Sequence, residues 1–207
     1  YKEGRRPFPT MLEVDLANIC NHKCSFCNCA DTLQSDNSVL DTGLLKKIIP
    51  EAYALGTRAI SYTGGGEPMV HRDFVEIIRF TKETGIDIGC ITNGSLIKDS
   101  NVSELNLYLQ WMRISMGGGD RESYKMIQGV DHLLEVKNKI KSRLNVGVKV
   151  LVAQRNLHSL ENLAHILSAM EYKVNYLQFI PDQFTSDGGQ FWNSEGTQNI
   201  FKAVKEI

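Results

Sequence analysis

The chain has 207 residues, 42% of them hydrophobic and 23% charged, with a formal net charge of -1. That length buries a full core without disulfide or metal staples, and the near-neutral balance excludes a bulk electrostatic footprint for nucleic acid. No apolar run reaches the ~18 residues of a membrane span and "YKEGRRPFPT" is no signal peptide; the expectation is one cytoplasmic domain over 1–207, its parent chain free to extend beyond either end.

In chain order, short runs rich in Val, Ile, Leu and aromatics and bounded by Gly, Asn or Pro predict six strands. They are "MLEVDLA" (11–17), "RAISYTG" (58–64), "IDIGCIT" (86–92), "WMRISM" (111–116), "VGVKVLVA" (146–153) and "VNYLQFI" (174–180). Helical spacing falls between them. "DTGLLKKII" starts with Asp41 or Thr42 as cap, and "HRDFVEIIRFTKETG" places Phe74, Ile77, Ile78 and Thr81 on one face before Gly85. "SELNLYLQ" is a shorter candidate. "DHLLEVKNKIKSRL" and "NLHSLENLAHILSAM" are amphipathic, the second grouping Leu160, Leu163, Ala164 and Leu167, and the tail "SEGTQNIFKAVKEI" reads as a further helix.

Strands alternating with helices imply a parallel α/β sheet with right-handed crossovers, either open and doubly wound or a barrel. An open parallel sheet, covered on both faces, shows near-continuous apolar strands. Here the strands alternate: Glu13 with Asp15, Ser61 with Thr63, Arg113 with Ser115, Lys149 among valines, and Tyr176 with Gln178. One polar face of mixed charge fits a curved sheet around a wet lumen, so the expected fold is a partial (βα)6 TIM-like barrel.

Four of the five cysteines lie in "CNHKCSFCNC" (20–29), just after the first strand. Disulfide frameworks spread cysteines through small secreted chains, and this cluster does not fit that pattern. Cys90, in "IDIGCITNG", reads as a small buried hydrophobe. In parallel α/β folds the loops at the C-terminal ends of the strands form the active site. There, Cys20, Cys24 and Cys27 bring three thiolates within reach of one metal centre. Zinc, with Cys29, His22 or Cys90 as fourth ligand, stays open. A cubane iron–sulfur cluster held by three cysteines leaves one iron for an exogenous ligand.

"CNHKCSFC" resembles the signature of the radical S-adenosylmethionine (radical SAM) enzymes, C-x3-C-x2-C with an aromatic residue, Phe26, before the third cysteine. "TGGGEP" (63–68) resembles their glycine-rich motif. "ITNGSL" (91–96), "RISM…RESYKMIQG" (113–129), "VKVLVAQRN" (148–156) and "LQFIP" (177–181) match in order, so the resemblance spans roughly residues 10 to 181. It resembles the core domain of the SPASM/twitch-type relatives; no cysteine follows Cys90, so their second-cluster domain is not expected in this chain.

The resemblance implies a [4Fe–4S] cluster on Cys20, Cys24 and Cys27, and S-adenosylmethionine bound near Phe26, Gly64, Gly65, Gly66, Glu67, Pro68, Asn93, Ser115 and Gln128. It implies reductive cleavage to a 5′-deoxyadenosyl radical that takes hydrogen from an organic substrate, fed by a flavodoxin- or ferredoxin-type electron donor. The fourth strand departs from the family: relatives follow its serine with an acidic residue, whereas "SMGGGD" does not, and no role carries over to Asp120. Glu13, Asp15, Arg113 and Lys149 are the substrate candidates on the polar face. They either offset one another as ion pairs or leave Arg113 or Lys149 for an anionic or hydroxyl-rich substrate. The alternatives are a glycyl-radical-enzyme activase and a non-catalytic metal-binding scaffold.

Overall fold

The computed structural model describes residues 8–139, 145–169 and 174–182. Six strands, β1 (Met11–Asp15), β2 (Ala59–Thr63), β3 (Asp87–Thr92), β4 (Trp111–Met116), β5 (Asn145–Val152) and β6 (Tyr176–Pro181), form one sheet in sequential order. Every neighbouring pair is parallel. The helices between them are α1 (Ala30–Ser35), α2 (Thr42–Leu55), α3 (Phe74–Glu83), α4 (Val102–Tyr108), α5 (Arg121–Gln128), α6 (Leu133–Lys139) and α7 (Leu160–Ser168). This is the partial TIM-like α/β barrel that the alternation implies. The tail helix expected at 194–207 lies outside the described residues.

Register explains why alternation was visible. Pairing aligns Ile60 with Ile88, Cys90 with Met112, Ile114 with Val148 and Val150 with Phe179, and this face meets the helices as the core. Cys90 is fully buried there. The opposite face aligns Glu13 with Ser61, Ile91 with Arg113, and Ser115 with Lys149 and then Gln178. At the N-terminal end of that face two rings take space that glycines leave. A Cβ on Gly89 would meet the Trp111 ring at 2.1 Å, and one on Gly147 the Tyr176 ring at 2.0 Å. The polar face is thereby filled low down and open toward the C-terminal strand ends.

Two helices, α1 and α5, were not expected. Of the two expected caps for α2 it is Asp41 that serves, its carboxylate accepting from the Leu44 N–H at 2.8 Å, and the helix runs on through Pro50 to Leu55 with Gly56 as its C-cap. Proline inside a helix costs about 3 kcal/mol. Leu45 and Ile49 before it and Ala52 after it are all buried, and their packing offsets that cost. α5 was not expected as a helix, although its signals are ordinary. Asp120 caps it by accepting from the Ser123 N–H at 2.8 Å, and Gly129, at φ 72°, ends it.

Candidate active site

The loop after β1 carries the cysteines and is held from two sides. On one side it lies along the C-terminal end of α5. The Lys23 N–H donates to the Gln128 carbonyl at 3.1 Å and the Ser25 N–H to the Ile127 carbonyl at 2.9 Å. On the other side it meets the glycine loop after β2, where the Gly66 N–H donates to the Ala17 carbonyl at 3.1 Å and the Glu67 N–H to that of Ile19 at 2.9 Å. A Cβ at residue 66 would stand 2.2 Å from the Ile19 oxygen, so only glycine permits this approach. The third glycine of the motif is thus needed by the protein itself.

These loops and the strand ends enclose a cavity of about 860 Å³. Cys20, Cys24, Cys27 and Phe26 line it from the cysteine loop, and Gly64, Gly65, Gly66 and Glu67 from the glycine loop. Asn93 from β3, Ser115 and Arg113 from β4, Gln128 from α5 and Lys149 from β5 complete the set of sequence-derived candidates that converge here. Three candidates are not among its lining residues. Pro68 is buried at the start of a 3-10 turn, Glu13 is exposed on the edge strand, and Asp15 accepts from the Gly65 N–H at 3.2 Å.

Glu67 is 2% exposed and acts as a clamp. One carboxylate oxygen accepts from Thr92 Oγ1 at 2.6 Å and from the Met69 N–H at 3.1 Å; the other accepts from the Asn93 N–H at 2.7 Å. Burial raises its pKa, with these hydrogen bonds opposing. Asn93 is equally committed: its amide donates to Asn21 Oδ1 at 2.8 Å and accepts from the Ser95 N–H at 3.0 Å. Asn21 and Thr92 lie within "CNHKCSFC" and "ITNGSL", but neither was singled out as a site residue. His22, also buried, was considered only as a zinc ligand. Its ring faces Gln128 Oε1 at 3.4 Å and His132 at 3.2 Å, and burial lowers its pKa to about 4, leaving it neutral.

The far wall has a different character. Arg113 Nη1 donates to Gln178 Oε1 at 3.3 Å, while its buried Nε has no hydrogen-bond partner among the described residues. Half-buried Lys149 has its pKa lowered by burial and then by the Arg113 charge. Neither cation forms an ion pair with Glu13 or Asp15 among the described residues. The offsetting arrangement weighed from the sequence is absent there.

The cysteine loop fits an iron–sulfur cluster. Burial raises the Cys20 thiol and pushes Cys24 up to about 12, with the charges of neighbouring cysteines adding. Such thiols become thiolates when a metal takes their protons' place. Among the described residues no three His, Cys, Asp or Glu side chains converge as a single ion would need. Thiolates that each take a different iron of a cubane are not required to converge in that way.

Comparison with known proteins gives the context. A family model described as "Radical SAM superfamily" matches residues 14–172. "Probable GTP 3',8-cyclase" of Sulfurisphaera tokodaii is 31% identical over 204 residues, covering 94% of this chain and 63% of that protein. Its namesake from Saccharolobus islandicus (strain M.14.25 / Kamchatka #1) is 34% identical over 138 residues, covering 66% and 44% respectively. The chain therefore spans roughly half the length of these relatives. Among solved structures, Streptococcus suis SuiB bound to S-adenosylmethionine superposes with a TM-score of 0.73 at 18% identity, covering 97% of this chain and 44% of SuiB. Native anSMEcpe with bound AdoMet and Cp18Cys peptide gives 0.75 at 16%, covering 96% of this chain and 59% of anSMEcpe. Among the described residues no helix is long and apolar enough to cross a membrane.

Proposed function

The chain belongs to the radical SAM superfamily, enzymes that use a [4Fe–4S] cluster and S-adenosylmethionine, and from that premise we propose that residues 1–207 act as one core domain generating a 5′-deoxyadenosyl radical against a small anionic substrate. Cys20, Cys24 and Cys27 hold the cluster. Cluster and cofactor together supply one chemistry, reductive cleavage of S-adenosylmethionine with an electron from a flavodoxin- or ferredoxin-type donor.

The remaining work falls to the chain's own residues. Gly64 and Gly65 leave one wall of the cavity without side chains, and the Glu67 clamp keeps that wall against the end of β3. Ser115 and Asn93 present polar groups to the cofactor, and Phe26 shields the third cysteine. Arg113 and Lys149 orient the substrate by its negative charge.

The observation that carries the substrate class is the pair of cations on the far wall with no carboxylate among the described residues to neutralise them. Buried charge without a partner is costly, and a bound anion offsets that cost. The relatives' name makes GTP the first trial substrate. The test is anaerobic reconstitution followed by dithionite and S-adenosylmethionine, with and without GTP. The expected result is brown protein with about four irons per chain, 5′-deoxyadenosine, and GTP consumed in step. A colourless protein with stoichiometric zinc overturns the enzyme reading. Deoxyadenosine without loss of GTP removes GTP alone.

A further inference from the structure

The sheet runs from β1 to β6 in order, so those two strands are its edges, and among the described residues no ladder joins them. The segments that follow them nevertheless meet. Arg155 Nη2 donates to Ser25 Oγ at 3.2 Å, in the cysteine loop after β1, and to Asp182 Oδ2 at 3.0 Å, directly after β6. One nitrogen thus spends its two N–H bonds on two elements that the backbone leaves apart. The Asp182 side chain is fully buried and that of Arg155 is 19% exposed, so salt screens this ion pair little.

Two of the three parts are fixed by other contacts. Arg155 belongs to the 3-10 turn Gln154–Ser159, whose buried Asn156 accepts from the Ala153 N–H at 2.8 Å. The Asn156 amide also donates to the carbonyls of Gly117 and Leu151 at 2.8 and 2.7 Å. The Asp182 N–H donates to the Val152 carbonyl at 2.9 Å. Ser25, by contrast, is exposed, and it stands between Cys24 and Phe26 in the loop. Neither Arg155 nor Asp182 is among the described lining residues of the cavity. This guanidinium is aimed at the protein's own carboxylate and hydroxyl, which distinguishes it from Arg113.

Resting on the cluster assignment above, we propose that Arg155 is a positioning residue that ties the cysteine loop to the end of β6. It bridges the open side of the barrel and holds the segment from Cys24 to Cys27 in place before a cluster is bound. A loop already held loses less freedom on taking up iron, and it releases iron more slowly.

The experiment measures hydrogen exchange in the metal-free full chain at the hydrogen-bonded amides of Lys23, Ser25 and Cys27, with melting temperature on the same samples. The proteins are wild type, Ser25→Ala, Arg155→Leu, Arg155→Lys and the double variant Ser25→Ala/Arg155→Leu. Each removal should speed exchange about tenfold, the equivalent of one charge-assisted hydrogen bond. The double variant should exchange no faster than Arg155→Leu, and lysine, which keeps the charge and several N–H donors, should restore most of the protection. Unchanged exchange in folded Arg155→Leu overturns the proposal, as do effects that add in the double variant. Arg155→Leu takes a partner from a buried carboxylate, and where it fails to fold the exposed Ser25→Ala decides: unchanged exchange there overturns the proposal equally. In the reconstituted protein, iron loss to a ferrous chelator should be about tenfold faster in Ser25→Ala and Arg155→Leu than in wild type or Arg155→Lys. Loss at the wild-type rate overturns the link to the cluster. Failure of the wild type to take up iron would refute the cluster assignment instead, whatever the exchange rates, so the two failures are distinguishable.

Discussion

The two sides of the cavity treat polar groups in opposite ways. Along β1 to β3 nearly every one is answered by the protein: Asp15 by Gly65, Glu67 by Thr92, Asn93 and Met69, and Asn93 by Asn21 and Ser95. Along β4 and β5, Arg113 and Lys149 face the cavity with Gln178 as a neutral partner of Arg113 and, among the described residues, no anion paired with either. A satisfied wall is rigid and costs nothing when empty. An unsatisfied wall keeps its binding capacity for whatever arrives. Substitutions on the first side should therefore be read in stability, and on the second in ligand binding.

The largest effect should come from Gly66→Ala. The new methyl group would stand 2.2 Å from the Ile19 oxygen and 2.4 Å from that of Ala17, both main-chain atoms that cannot move alone. We expect a loss of at least about 3 kcal/mol in denaturant unfolding, in the upper range for a single overpacking substitution. A change under about 1 kcal/mol would show that the two loops are not locked together. Glu67→Gln should cost about 2 kcal/mol, because one oxygen becomes an NH2 group and a buried donor loses its acceptor. If the variant unfolded like wild type while losing S-adenosylmethionine affinity, Glu67 would belong to the binding side of the comparison.

Lys149→Met should leave stability within about 1 kcal/mol, since it removes a half-buried charge that no anion among the described residues pairs. It should weaken GTP binding by calorimetry about tenfold, the equivalent of one charged hydrogen bond. The pH dependence has a definite sign. Burial and Arg113 hold the Lys149 pKa below the usual lysine range, so its charge is present below that depressed pKa and fades as pH rises through it. Affinity should fall on the alkaline side earlier than for an exposed lysine, and this limb should vanish in Lys149→Met. A limb that survives the substitution assigns the titration elsewhere.

Much of this arrangement was legible in the sequence because strands repeat every two residues and their ends collect function. The polar face, the six strands and the three thiols after the first of them followed from local pattern. α5 escaped notice because it is eight residues long and mostly polar, although Asp120 and Gly129 mark both its ends. α1 buries nothing, so it has no apolar stripe to detect. Sequence distance hid the rest. The partners of Asp15, Glu67 and Cys24 lie 50, 25 and 104 positions away, and no spacing rule reaches that far. Glu13 and Asp15 looked equivalent to Arg113 and Lys149 because all four share a face. Only the enclosure of the cavity separates them.

The sequential strand order also bears on how the molecule is made. A ribosome adding about 5–20 residues per second completes β1 and the cysteine loop long before α5, whose end supplies Ile127 and Gln128. For about 5–20 s of synthesis Lys23 and Ser25 have no main-chain partners and the thiols have no roof. The thiols are thus translated early and stay without that shelter until α5 follows. Oxygen during expression should accordingly harm the nascent chain more than the finished one.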